Sequence, residues 1–492
     1  MSRPATAVDR PHERRLVAEQ QTLAQPLRRL LRREPVVCAE SDTLGTALQR
    51  MHEAQVGALI VVDGKDRPSG IFSERDLLRV MPDAPLHARI TEVMTREPLA
   101  LPEHTPCYEA ALLMMEHRIR HVLVTDEQER LIGVVSERDL FSLQRLGLGE
   151  LTVEIRLARD IDTLAEHAGR VRRLTRTLVE EGVAAERLTL FVSVLNDRIS
   201  ERIIDLVRKR HPFDRLGWCW LAFGSEGRIE QTFATDQDNG LLFVAHDGSP
   251  PARVREALLP FAREVNEALD ACGFPLCKGN VMASNPALCL SFEEWQGKLT
   301  GWLEDSEPKA LLDAAIVFDF RALSGDARLA ADLRQWFLDV TRKRPNFLRL
   351  LAENALQARP PLARWRNFVT EDVPGAPGTI NLKMYGVRPF VDAARVYSLA
   401  NGLPQTNTAD RLRAAAAAGV LPAAEAESML AALFMLQRVR LAHQATLDEF
   451  PPEDSANRID PKKLNELDRR TLKEAFRILR DLQSRLAMDY QL

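Results

Sequence analysis

Residues 224–243 read Gly224-Ser225-Glu226-Gly227-Arg228-Ile229-Glu230-Gln231-Thr232-Phe233-Ala234-Thr235-Asp236-Gln237-Asp238-Asn239-Gly240-Leu241-Leu242-Phe243, and the way this run divides decides how the middle of the chain folds. The apolar stretch Trp218, Trp220, Leu221, Ala222, Phe223 before it has strand character. It stops at Gly224-Ser225, a pair suited to a tight turn that exposes backbone N–H groups and a hydroxyl. A helix opening at that turn aims its positive end at a phosphate. Asp236 and Asp238 stand at i and i+2 beside the apolar run Leu241 to Val244, and on a strand alternate residues share a face. Both carboxylates then point into one site. Held about 5–6 Å apart they repel by roughly 3 kcal/mol at an effective dielectric of ~20, so a site that keeps both ionised calls for a cation. Mg²⁺ suits it, since that ion takes one or two protein carboxylates and completes its shell with phosphate oxygens and water. Arg228 adds a forked donor for phosphate. A Gly-Ser turn or an Asp-x-Asp alone is commonplace; the two together, between two apolar runs, describe one site.

At these residues the chain resembles the nucleotidyltransferase-like family of unknown function that accompanies CBS domains (DUF294), whose signature is close to G-S-E-G-R-x-E-Q-T-x-x-T-D-Q-D-N. That family is similar in turn to the uridylyltransferases of the PII signal-transduction protein and to the adenylyltransferases of glutamine synthetase, within the polymerase-β-like fold. The resemblance implies Mg²⁺-dependent transfer of a nucleoside monophosphate from UTP or ATP to an acceptor hydroxyl. It puts Gly224, Ser225 and Arg228 on the triphosphate, Asp236 and Asp238 on metal, and a PII-like regulatory protein in the place of acceptor. The superfamily pattern includes a third carboxylate on a later strand. The segment Phe274 to Pro286 occupies the expected region and offers no acid. Asp319, within Ile316-Val317-Phe318-Asp319-Phe320-Arg321, is the next strand-like candidate for a catalytic role, with local pairing to Arg321 as the alternative. Two functions stay open on this basis: an active transferase, or a catalytically inactive nucleotide sensor that acts through partner contacts.

A second signal lies upstream. Ser69-Gly70-Ile71-Phe72-Ser73-Glu74-Arg75-Asp76-Leu77 recurs as Ile132-Gly133-Val134-Val135-Ser136-Glu137-Arg138-Asp139-Leu140, which marks a duplicated unit. Each copy carries a helix-period segment (Leu44, Ala47, Leu48, Met51; Tyr108, Ala111, Leu112, Met115, Ile119), then two strands and a helix start, in the order β-α-β-β-α. Ser73 and Ser136 stand at expected helix N-caps, where a hydroxyl and a helix terminus can hold phosphate; Asp76 and Asp139, one turn on, can accept from ribose hydroxyls, with a plain helix cap as the alternative reading. The pattern Gly-x-x-Ser-x-x-Asp is similar to the nucleotide motif of CBS domains. The resemblance implies AMP, ADP or ATP as ligands on Gly70, Ser73, Asp76, Gly133, Ser136 and Asp139, and a homodimer as the default assembly.

With 492 residues the chain calls for about three domains. The expected organisation is α/β and α, multi-domain: an N-terminal extension at 1–29, a tandem CBS pair at 30–146, a helical connector at 150–212, a polymerase-β-like nucleotidyltransferase α/β core at 213–300, and a C-terminal helical nucleotidyltransferase substrate-binding domain at 301–492. In that last region Lys383 and Arg388 are candidates to reach a triphosphate or an acidic partner, with a solvated basic face as the alternative. A net charge of −4 gives no general attraction to nucleic acid, which also disfavours a tRNA-end polymerase. No apolar run approaches the ~20 residues of a membrane helix, and the Arg-rich N-terminus lacks a signal-peptide core, so a cytoplasmic protein is expected. Six scattered cysteines without C-x-x-C spacing and ten histidines without an H-E-x-x-H pattern support neither a disulfide framework nor a zinc hydrolase.

Overall fold

The computed structural model describes residues 26–31, 34–54, 56–73, 76–77, 85–117, 119, 121–136, 148–213, 216–245, 248–304, 314–363, 368–447 and 453–492. It divides into two compact units, Met1–Leu151 and Thr152–Leu492.

In the first unit the repeat seen in the sequence is repeated in space. Strand β1 (Val37–Ala39), helix α1 (Leu44–Ala54), β2 (Ala58–Val62) and β3 (Pro68–Ser73) form one copy, to which β4 (Thr95–Arg96) adds an edge; β5 (Ala100–Pro102), α2 (Cys107–His117), β6 (His121–Thr125) and β7 (Leu131–Ser136) form the second. In each copy the first pair is parallel and the second antiparallel, Val61 facing Gly70 and Val124 facing Gly133, with a register shift at the next residue in both. Even the hairpin turns match. Asp63 accepts from the Lys65 and Arg67 amides, Asp126 from those of Gln128 and Arg130, and Asp66 and Glu129 both adopt positive φ. Leu44, Ala47 and Met51 recur at helical spacing and are the buried face of α1, packed with Leu59, Val61 and Phe72. Cys107, Ala110 and Met114 do the same for α2 against Val122, Val124 and Val135.

α3 (Leu148–Leu157) leads into the second unit, where α4 (Ile161–Glu180, capped by Asp160) and α5 (Ala185–Arg208) are the expected connector helices. There follow β8 (Leu216–Ala222), the one-turn helix Gly224–Gly227, β9 (Asn239–Ala245), α6 (Pro251–Ala271), β10 (Cys289–Ser291), α7 (Phe292–Glu304) and β11 (Arg321–Gly325). The sheet order is β10-β9-β8-β11, so the core sheet takes in a strand well beyond residue 300, where the sequence suggested a boundary. The rest is α8 (Ala327–Thr341), α9 (Pro345–Ala355), α10 (Arg388–Ala400), α11 (Thr408–Ala417), α12 (Ala423–Ala445) and α13 (Glu466–Asp489). Pro374-Gly375 is the turn of a hairpin between β12 (Glu371–Val373) and β13 (Ala376–Asn381), with Gly375 at φ 81°; β14 (Arg458–Ile459) completes that small sheet. One continuous hydrophobic cluster runs from Cys219, Leu221 and Leu242 in the sheet through Phe318 and Phe337 to Phe390, Leu436 and Phe476. The sheet and the C-terminal helices therefore share a core.

Candidate functional site

The site grows from the end of β8. Its antiparallel pairing with β9 runs to Ala222 opposite Asn239, and the Phe223 amide extends the ladder by donating to the Asp238 carbonyl at 2.8 Å. The chain then turns at Gly224, whose φ is +52°. A Cβ there would stand 2.5 Å from Asp238 Oδ2, so glycine is required twice over, by conformation and by the approach of the carboxylate. The expected helix is a single turn: Gly227 N bonds Phe223 O at 2.7 Å and Arg228 N bonds Gly224 O at 3.1 Å. Ile229 then takes φ +57°, a strained setting for a β-branched residue of the kind that gathers at active sites. Ser225 is half-buried.

Asp236 and Asp238 lie on the extended approach to β9 rather than inside it. The alternation expected of a strand nevertheless holds: Thr235, Gln237 and Asn239 are buried while Asp236 and Asp238 are half-exposed. The inward residues hold the neighbouring loop. Gln237 donates through Nε2 to the Phe274 and Asn266 carbonyls, at 2.7 and 2.9 Å. Its amide donates to Pro275 O, and the Asn239 amide to Val281 O. Asn239 Oδ1 accepts from Asn266 Nδ2 and from the Ala283 amide. This clamp places the loop that follows Phe274 beside the acids, and one donor atom each from Asp236, Asp238 and Cys277 lies within 4.8 Å of the others. Burial first, and then Asp238, pushes the Cys277 thiol up to about 11. Where the sequence offered no acid for the third position, the fold supplies sulfur.

Negative charge accumulates here. Glu226, in the Gly224–Gly227 turn, is buried and is pushed up to about 8 by burial first and then by Asp197, with Arg321 opposing and Asp238 and Asp236 adding to it. Two carboxylates aimed at one place, with a third acid held protonated behind them, form a donor set that fits a divalent cation, and the oxygens alone fit Mg²⁺.

Two expected site residues are corrected. Asp319 has no exposure and is not paired with Arg321, which instead forks onto both oxygens of Asp197. Its carboxylate is caged by Arg395 Nε and Nη2 at 2.9 and 2.6 Å, Arg228 Nη1 at 2.7 Å and Arg411 Nη2 at 2.7 Å. Burial alone would raise its pKa, but the arginines outweigh it and hold it well below the usual carboxylate range. A carboxylate so held is not a base for an acceptor hydroxyl. Arg228, expected on phosphate, spends Nη1 on Asp319 and Nε on Glu230 at 2.9 Å; Glu230 also accepts from the Thr408 amide at the start of α11. The motif's arginine and second glutamate thus bind the turn to α10 and α11. Lys383 is half-buried and opens the π-helical turn Lys383–Val387 between β13 and α10, a distortion that recurs at functional sites. Arg388 pairs with Asp392.

In the first unit the Ser73 hydroxyl donates to Asp76 Oδ2 at 2.7 Å, the Ser73 amide to the same oxygen at 3.1 Å, and Thr95 Oγ1 to Asp76 Oδ1 at 3.1 Å. Ser73 and Ser136 end β3 and β7. A Cβ on Gly70 would meet Met94 Sδ at 2.2 Å and one on Gly133 would meet Leu31 Cδ2 at 2.4 Å. Asp139 lies outside the described residues.

Residues 169–309 match the family described as "Putative nucleotidyltransferase DUF294", residues 345–490 match "Putative nucleotidyltransferase substrate binding domain", and residues 27–83 and 90–145 each match "CBS domain". The chain belongs to the CBS-containing DUF294 family. This DUF294 protein is 31% identical across 115 residues to a CBS domain-containing protein of Dictyostelium discoideum, covering 20% of this chain and 78% of that one. It is 30% identical across 98 residues to an uncharacterized 17.7 kDa protein of Acidianus ambivalens, 20% of this chain and 60% of that one. Among solved structures it is similar to a CBS domain protein of Pyrobaculum aerophilum complexed with AMP, at 30% identity and a TM-score of 0.24, over 26% of this chain and 98% of that one. The chain spans 60% or less of the length of the first curated relatives it matches. Among the described residues no helix is long and apolar enough to cross a membrane.

Sequence reasoning missed Cys277, Glu226, Arg395 and Arg411. Glu226 lies within the quoted motif, where the Asp pair is the stronger signal. Cys277 lies in the segment from Phe274 to Pro286, where a ligand pattern of acids alone does not include it. The two arginines carry no local signal, since what recruits them is a carboxylate distant in sequence.

Proposed function

We propose that this DUF294 protein transfers a nucleoside monophosphate, UMP or AMP, from a nucleoside triphosphate to an acceptor hydroxyl on a regulatory protein of the PII type. Adenosine nucleotides at the CBS pair regulate the transfer. The observation that carries this reading is the meeting of the Gly224-Ser225 turn with Asp236 and Asp238, the glycine leaving no room for a side chain beside Asp238 Oδ2. Turn amides and the Ser225 hydroxyl bind the triphosphate, Lys383 adds a positive charge to it, and the two carboxylates hold the cation. A divalent ion bound there neutralises charge on the phosphates and lowers the pKa of the attacking hydroxyl. Ser73 and Asp76 in one repeat, and Gly133, Ser136 and Asp139 in the other, hold the adenosine ligand, which competes with the Ser73–Asp76 bond. The protein acts in the cytoplasm, and as a homodimer.

Calorimetric titration of the full chain with ATP, UTP, CTP and GTP in the presence of divalent cation tests the reading. Metal-dependent binding of one triphosphate, lost in Asp236→Asn while the circular dichroism spectrum is kept, is the expected result. Equal binding in Asp236→Asn would sink the site assignment. The sequestration of Asp319 favours a second reading, a nucleotide sensor without transfer. Under it the triphosphate binds in the same Asp236-dependent way, but no pyrophosphate is released with any PII-type acceptor.

A further inference from the structure

We propose that Cys277 is the third protein ligand of the cation held by Asp236 and Asp238, which makes this a mixed oxygen–sulfur site selective for a borderline divalent ion of the Co²⁺ or Zn²⁺ class over Mg²⁺. The inference rests on the cation role given to the two aspartates above. Among the described residues, these three side chains are the one set of at least three histidine, cysteine or carboxylate groups whose donor atoms converge closely enough for a common ion. Metal–oxygen and metal–sulfur bonds of about 2.0–2.3 Å at tetrahedral angles put ligand atoms about 3.3–3.7 Å apart. From a separation within 4.8 Å the site closes on an ion by side-chain movements of up to about 1.5 Å.

The position of the sulfur is built, not incidental. The loop that carries it is held at Phe274 and Pro275 by Gln237 and at Val281 by Asn239, the two residues that alternate with the aspartates. Asn280 takes φ +56° and its amide bonds Cys277 O at 2.9 Å, closing the turn that presents the thiol. Of the six cysteines Cys277 is the one not buried. The other five are buried, as core cysteines are, whereas the Cys277 sulfur converges with two carboxylates.

The ligand chemistry then decides the ion. Mg²⁺ takes oxygen donors and gains nothing from a thiolate, while Zn²⁺ and its neighbours bind carboxylate and thiolate together. On binding, the sulfur–metal bond forms and the thiol proton leaves to solvent, so no oxidant or reductant is involved.

The test is a Co²⁺ titration of the full, EDTA-treated chain under a non-thiol reductant, read by absorbance and calorimetry, with Mg²⁺ titrated in parallel. The wild type is expected to develop a sulfur-to-cobalt charge-transfer band in the near ultraviolet, absent in Asp236→Asn and in Cys277→Ser. Cys277→Ser is expected to weaken Co²⁺ by at least about tenfold, the loss that removing even an outer-shell partner of a metal causes, and Mg²⁺ by less than about twofold. Should Cys277→Ser not fold, iodoacetamide labelling of the wild type, mapped by peptide mass spectrometry, replaces it: Co²⁺ is expected to protect Cys277 and Mg²⁺ is not. Co²⁺ binding that depends on Asp236 but shows no sulfur band and no protection overturns this inference and leaves the cation role of the aspartates intact. If neither ion binds in an Asp236-dependent way, both fall.

Discussion

Asp319 shows how far the environment of one residue can move its role. As a sequence position it is an acid near the end of an apolar run; in the fold it is the centre of a cage of Arg228, Arg395 and Arg411 with no exposure to water. Removing one partner of a buried ion cluster leaves the others desolvated and uncompensated, at a cost of about 3–5 kcal/mol. Asp319→Asn should therefore lower stability by that order in urea unfolding, whereas a surface carboxylate would cost a fraction of it. The sign with pH follows. A carboxyl held well below its ordinary value of 3.8 contributes stability that is present above that pH and is lost as pH falls through the folded-state value. Glu226 has the opposite sign. Its folded value of about 8 lies above its ordinary value of 4.5, so its contribution is present below about 4.5 and drains away as pH rises towards 8. In EDTA, Glu226→Gln should remove that slope and be more stable than wild type at pH 8–9 by at least about 1.4 kcal/mol, the worth of one pKa unit. A wild-type profile flat between pH 5 and 8 would contradict the assignment.

At the scale of elements, the run from Thr235 to Asn239 works as two interleaved rows. One row, Asp236 and Asp238, faces the site; the other, Gln237 and Asn239, is spent on the 274–283 loop. This was legible in part. The i, i+2 spacing of the acids announced a shared face, and the Trp218–Phe223 and Leu241–Val244 runs announced the two strands. What the buried row holds was not legible, because a glutamine bonding carbonyls nearly forty residues on leaves no pattern near itself. Gln237→Ala should cost about 1–3 kcal/mol through the buried carbonyls it leaves unpaired, and should release the loop, seen as faster amide exchange at 276–281. Protection unchanged in that loop would show that Gln237 is not its anchor. The single turn Gly224–Gly227 is the other limit on reading elements from sequence. Gly224-Ser225 signalled the turn correctly, but Gly227 packs so closely on the Asp319 carbonyl, 2.1 Å from a built Cβ, that the chain is pinned there instead of continuing as a helix.

In the whole molecule, two units of different construction follow one another. Among the described residues the first closes small clusters around Leu59 and Phe72 and around Val122 and Val135, and the second encloses a large cluster that runs from Cys219 to Leu486. Cores of such unequal size should melt separately, and differential scanning calorimetry of the full chain should resolve two transitions. AMP should raise the temperature of one transition alone, and Asp76→Ala should abolish that rise without weakening metal-dependent triphosphate binding. A single transition shifted as a whole by AMP would contradict separate cores. By itself the sequence determined the repeat and its β-α-β-β order, the strand–turn–strand core and the two aspartates, because each of these is written in residues close together along the chain, as periodicity, turn chemistry or i, i+2 spacing. Only the tertiary structure decided that Asp319 and Arg228 are locked to α10 and α11, that β11 belongs to the core sheet, and that a cysteine stands where a third acid was sought. Each of those depends on partners brought together by burial across long stretches of chain, and a buried charge takes whichever partner the packing presents, not the one nearest in sequence.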